Sequence, residues 1–161
     1  MPRVKIIIII SALVLAVILG WVLWPASLYE KYGFSTQMPV SGPGVDPTTT
    51  TPKAAELYNK GDLKEARKLL QKEYMWYPQN PLLGYYFAIT LIDAGKISEA
   101  RTILADLHKR QSAFEYDAAF YTALSYIKEG NKAEAAVWLH KIPDSIPRSA
   151  NAKALLSELK K

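Results

Sequence analysis

Side-chain catalysis needs a nucleophile beside a base, carboxylates whose environments push them apart, or a cluster of metal ligands. This 161-residue sequence offers two histidines, His108 and His140, and no cysteine. The two histidines stand in different segments, without the H-x-x-x-H or H-E-x-x-H spacing that would set ligands on one helical face. No G-x-S-x-G, phosphate loop or dinucleotide glycine pattern occurs. Carboxylates sit near cations, as with Glu99 and Arg101 or Glu134 and Lys132, which is how solvated helix faces read. No catalytic residue, metal site or cofactor is therefore expected, and the chain is not expected to be an enzyme.

Charge points away from nucleic acid as well. The net charge is +5, and residues 53–161 hold 17 Lys or Arg against 13 Asp or Glu. The cations are interspersed with acids, and only His108-Lys109-Arg110 forms a small cluster. No nucleic-acid partner is expected.

The elements are easier to read. Residues 6–24, IIIIISALVLAVILGWVLW, carry no charge. As a helix they would extend roughly 28 Å, close to the ~30 Å of a hydrocarbon core. We read them as an uncleaved transmembrane signal-anchor helix contacting membrane lipid. A cleaved signal peptide is the alternative, but the run is long, ends on Trp21, Trp24 and Pro25, and lacks an A-x-A site. Trp21, Trp24, Tyr29 and Tyr32 fit an interfacial aromatic belt. Arg3 and Lys5 precede the run, whereas only Lys31 follows it before Lys53. The positive-inside rule then leaves residues 1–5 as a cytoplasmic tail and puts the remainder outside. In a bacterium with two membranes this describes a single-pass inner-membrane protein with a periplasmic domain.

Residues 25–51 are rich in Pro, Gly and Thr and read as a flexible linker. From residue 52 a helical period takes over, with no sustained strand alternation. Three strings share a pattern: GDLKEARKLL at 61–70, GKISEARTIL at 95–104 and GNKAEAAVWL at 130–139. Gly61, Gly95 and Gly130 are followed at fixed offsets by Ala66, Ala100 and Ala135, then by Leu70, Leu104 and Leu139. The glycines fall between apolar-periodic segments, where a left-handed C-cap would end one helix. Thr51-Pro52 and Asn80-Pro81 read as N-caps followed by proline at the first helical position.

A helix–turn–helix unit of about 34 residues resembles the tetratricopeptide repeat. Units counted back from the glycines begin near Pro47, Pro81 and Tyr116. Ala54, Ala88 and Ala123 then fill the small eighth position, and Leu57, Leu91 and Tyr126 the bulky eleventh. The resemblance implies an all-α fold with repeats at about 47–80, 81–115 and 116–147 and a capping helix at 148–160. The domain at 52–161 would be an α-solenoid of three hairpins. Helix A of the first unit should be short, the second unit has one extra residue around His108 to Ser112, and Pro143 should truncate the last helix B.

In that family the first helix of each unit lines a concave surface that receives a peptide or helix, usually through positions two, five, nine and twelve. Those positions are Thr51, Ala55 and Tyr58, then Leu82, Tyr85, Ile89 and Ile92, then Asp117, Phe120, Leu124 and Ile127. The set is apolar and aromatic. Members that clamp a carboxyl terminus use Lys and Asn where Tyr85, Ile89, Phe120 and Leu124 stand, so that mode is not implied. The resemblance implies protein binding, with a client such as an amphipathic helix or an extended apolar segment. The competing expectation is a structural subunit that self-associates as a homo-oligomer, its groove filled by its own chain.

Overall fold

The computed structural model describes residues 28–33 and 36–160, and the proposed membrane span at 6–24 lies outside them. No helix among the described residues is long and apolar enough to cross a membrane. Those residues form helices and irregular segments without a strand. The helices are α1 (Leu28–Gly33), α2 (Thr51–Asn59), α3 (Leu63–Trp76), α4 (Pro81–Asp93), α5 (Ile97–Lys109), α6 (Glu115–Lys128), α7 (Lys132–Leu139) and α8 (Arg148–Leu159). From α2 to α8 each helix packs on the next, and α4 also touches α6. The first helices of the second and third hairpins thus touch directly.

One turn is made three times. Gly61, Gly95 and Gly130 have φ of 84°, 76° and 78°. At each, the following N–H returns to the carbonyl at the repeat's eleventh position: Asp62 to Leu57, Lys96 to Leu91 and Asn131 to Tyr126, all at 2.9 Å. This is the Schellman closure, which needs a left-handed residue at its corner. Asp62 and Asn131 then cap the next helix by accepting from Glu65 N and Glu134 N. The alanines explain the close approach of the paired helices: Ala54, Ala88 and Ala123 on the first helices and Ala66, Ala100 and Ala135 on the second are all 0% exposed. Leu70, Leu104 and Leu139 fill the seams beside them.

The expected irregularities have physical causes. Helix α2 has 9 residues against 13 for α4 and 14 for α6. Helix α7 stops at Leu139 after 8 residues, ahead of Pro143. The extra residue of the second unit is absorbed at Gln111, which takes φ 52° and closes α5 with Ser112 N donating to Leu107 O. The N-cap of α2 is Thr50, not Thr51, and its own side chain makes no cap bond. Instead Glu73 of α3 accepts from Thr50 N at 3.0 Å and from Thr50 Oγ1 at 2.5 Å. A carboxylate at a helix N-terminus satisfies orphan donors and favours the helix dipole.

The stretch expected as a flexible linker departs most from expectation. Residues 28–33 are helical, with α1 packed on α6 and touching α8. Tyr29, expected in an interfacial belt, is buried, with Lys128 Nζ 4.6 Å from its ring centre. Met38 is 1% exposed. Farther along, Asp46 accepts from Thr48 N and Oγ1, and Asn80 Nδ2 donates to Gly44 O at 2.8 Å. A Cβ at Gly44 would meet Leu82 Cβ at 3.2 Å, so glycine permits this close approach. Proline and glycine exclude regular structure here, yet they leave the backbone free to dock on a neighbouring surface.

Candidate functional site

The concave side of the solenoid is built by α2, α4 and α6, and the chain's own N-terminal segment lies along it. Tyr121 Oη on α6 donates to Gly33 O at 2.7 Å, and Tyr86 Oη on α4 donates to Gln37 O at 2.8 Å. Asn59, the last residue of α2, takes both sides of one peptide unit: Met38 N donates to its Oδ1 and its Nδ2 donates to Met38 O, each at 2.8 Å. One polar tip from each of three consecutive repeats thus holds main-chain atoms of Gly33, Gln37 and Met38.

Beside this segment is a cavity of about 700 Å³. Tyr29, Gly33, Thr36, Gln37, Tyr58 and Ile89 line it, with Asp62, Lys64 and Asp93 also in the lining. Aromatic rings continue inward from Tyr58, which meets Tyr86 edge-on at 5.0 Å; Tyr86 meets Tyr85 at 4.9 Å and Tyr85 meets Tyr121 at 5.5 Å. Burial raises the pKa of the hydroxyls of Tyr29, Tyr58 and Tyr85, and pushes Tyr86 up to about 12. These rings form a neutral, weakly polar wall across the neutral pH range.

The sequence-predicted groove residues divide sharply. Tyr58 and Ile89 line the cavity, although Ile89 is only 3% exposed. Tyr85, Ile92, Phe120 and Leu124 are 0% exposed and belong to the core, while Ile127 is half-buried. Tyr85 is sealed by Phe114, stacked on it at 4.5 Å. Phe120 lies under Arg148 of α8, whose guanidinium carbon is 5.1 Å from the ring centre and whose nitrogens also bond Asp117. Thr51, Ala55 and Leu82 are buried as well. The capping helix and the N-terminal segment together cover what three repeats alone would leave open.

The residues that do the gripping, Asn59, Tyr86 and Tyr121, were not singled out from sequence. They occupy repeat positions thirteen, six and six, beside the positions expected to face the groove. A signal was present in α4, PLLGYYFAITLID, which has no polar face before its last residue. A helix apolar all round is covered on every side, and residues Leu82 to Ile92 are indeed all buried. The histidines are peripheral: His108 Nδ1 is 3.2 Å from Glu115 O, with its ring edge-on to Trp138, and His140 caps the exposed end of α7.

Comparison with protein families decides the class. Residues 57–125 match the family model described as tetratricopeptide repeat. That stretch of the chain is made of tetratricopeptide repeats. The match runs from the end of α2 into α6, through two of the three glycine turns and the aromatic cluster. Such repeats generally serve protein–protein interaction, binding protein or peptide partners, and are generally not enzymes. No curated protein and no solved structure matches the chain.

Proposed function

We propose that this tetratricopeptide repeat protein is a membrane-anchored scaffold or assembly factor that holds a client polypeptide at the external, periplasmic face of a bacterial inner membrane. The observation that carries the reading is the concave face itself, where side chains of three consecutive repeats hold main-chain atoms of Gly33, Gln37 and Met38 beside a cavity of about 700 Å³ lined by both apolar and polar residues. Side chains that bond a backbone, with Tyr58 and Ile89 beside them, suit polypeptide better than a small metabolite. The apolar run 6–24, flanked by Arg3 and Lys5, supports the anchor and its orientation.

A photoreactive side chain at position 58, in the full chain and in native membranes, tests the reading. Covalent adducts to a different polypeptide are expected. Recovery of adducts to the protein alone would move the assignment to a self-associating structural subunit. That second reading has its own observation, since Gly33, Gln37 and Met38 of the same chain are already bonded to side chains of that face. A compartment reporter fused after Lys161 tests the topology, and cytoplasmic reporter activity would overturn it.

A further inference from the structure

Helix α3, the second helix of the first hairpin, carries a surface that the concave face does not use. Its six exposed residues are Lys64, Lys68, Gln71, Lys72, Met75 and Trp76, and none is acidic. They recur at steps of three and four and so share one face. Lys64 borders the cavity of about 700 Å³, whereas the other five line a separate depression of about 520 Å³. Met75 and Trp76 are 75% and 74% exposed, and the adjoining Tyr77 is 52% exposed. Lys68 pairs with Glu65 at 2.7 Å, while Lys64 and Lys72 make no ion pair among the described residues. The other acid of the helix, Glu73, is buried and bonded to Thr50.

The repeat shows that the hairpin does not require this surface. Counted from the glycine turns, Lys64, Lys68 and Lys72 correspond to Ser98, Thr102 and Asp106 of the second unit, and Met75 and Trp76 to Lys109 and Arg110. The same helix thus folds with neutral or acidic groups in place of the lysines and with cations in place of the apolar pair. Adjoining Trp, Met and Tyr side chains left in solvent bury nothing within the molecule, and these residue types are enriched where proteins meet.

We infer that this face of α3 docks an acidic amphipathic helix of a partner protein, its carboxylates beside Lys68 and Lys72 and its apolar residues on Met75 and Trp76. A helix laid along α3 has the same rise, so acids at every fourth residue meet lysines spaced likewise. Complementary charge selects the acid, and the exposed Trp76 supplies the anchor. Residues 1–27 of the chain contain Arg3 and Lys5 and no acid, so they do not supply the occupant. Two copies of this face brought together would set lysines beside lysines, which disfavours self-pairing. The inference goes beyond the proposed client binding: it adds a second docking face and does not need the first.

The test uses the full chain in phosphatidylcholine nanodiscs, with fluorescence anisotropy as readout. The probe is a fluorescein-labelled helical peptide with Glu at every fourth residue beside a stripe of Leu, and its counterpart has Lys in place of each Glu. The wild type is expected to bind the acidic peptide, less tightly as salt rises, and not the basic one. Trp76→Ala should weaken binding at least about tenfold. Lys68→Glu combined with Lys72→Glu should exchange the preference, so that the basic peptide binds and the acidic one does not. A gain of binding cannot come from unfolding, and helical circular dichroism confirms that each variant is folded. Failure of the wild type to bind, or binding indifferent to either change, overturns the inference. Displacement of the peptide by phosphatidylglycerol vesicles and not by phosphatidylcholine vesicles would give the face to anionic lipid and overturn it. Dimerisation abolished by Trp76→Ala would give the face to a second copy and overturn it too. Lys64 and the concave residues are unchanged in every variant, so adducts at position 58 report separately on client binding, and either result can fail while the other stands.

Discussion

Three neighbouring tyrosines show how one hydroxyl can have opposite consequences. Tyr86 and Tyr121 donate to carbonyls of the docked segment at 2.8 and 2.7 Å, whereas the Tyr85 hydroxyl is fully buried and has no hydrogen-bond partner. Replacing a satisfied donor leaves a carbonyl unpaired and costs about 1 kcal/mol, whereas removing an unsatisfied buried hydroxyl relieves a desolvation penalty. Tyr86→Phe and Tyr121→Phe should each lower unfolding free energy by about 1 kcal/mol, and Tyr85→Phe should leave it unchanged or raise it. Urea denaturation of the three variants checks the order. The same residues set the alkaline limit. Burial raises the folded-state pKa of Tyr29, Tyr58, Tyr85 and Tyr86 above the ordinary value of ~10. A raised pKa contributes stability that is fully present below the unfolded value and is lost as pH rises toward the folded one. Stability should therefore hold through neutral pH and fall from about pH 10 upward. Tyrosinate absorbance should show these hydroxyls ionising together with loss of helix. Smooth ionisation of every tyrosine near its ordinary value, with the helices intact, would contradict the burial that defines the groove wall.

At the scale of elements, the hairpins were legible because their chemistry is local. Gly61, Gly95 and Gly130 specify a left-handed corner, and the alanines specify close backbones. Residues 28–50 were not legible, because Pro, Gly and Thr report only that no regular element forms. Whether such a chain waves in solvent or docks depends on distant partners such as Asn59, Asn80, Tyr86 and Tyr121. Burial of Tyr85 and Phe120 was hidden for the same reason, since Phe114 and Arg148 cover them from other elements. The corner chemistry gives a paired test. A Cβ at Gly61 would meet nothing within 4 Å, so Gly61→Ala isolates the cost of its φ of 84°. Gln111 already pays that cost at φ 52°. Gly61→Ala should destabilise by about 1 kcal/mol and Gln111→Gly should stabilise by up to about 1 kcal/mol, each read from the midpoint of chemical unfolding. Equal and negligible shifts would mean that the corners relax away from left-handed geometry at no cost.

At the scale of the whole molecule, the docked segment changes how the domain would sit on a membrane. A free tether over residues 25–51 would let the solenoid wander tens of ångströms from the bilayer. With α1 fixed against α6, only residues 25–27 separate the proposed span from the folded body, a reach on the order of 10 Å at ~3.3 Å per residue. The point of entry also sets an orientation. Tyr29 lies beneath Lys128, at the C-terminal end of α6 where the Gly130 turn begins. Met75 and Trp76, 75% and 74% exposed, lie at the other edge, next to the start of α4. Helix α4, with 13 residues, puts roughly 20 Å between those edges. The glycine-turn edge should therefore face the lipid and the Trp76 edge should face away. Because the chain has no cysteine, single labels at Lys132→Cys and Trp76→Cys can be placed without further substitution. With the full chain in nanodiscs, a quencher carried on lipid headgroups should reduce fluorescence at position 132 far more than at 76. Adding Met38→Gly should shrink the contrast, since loss of that anchor loosens the segment that holds the body in place. Equal quenching at both positions in the wild type would mean that α1 leaves α6 at the membrane and that the segment acts as a tether after all.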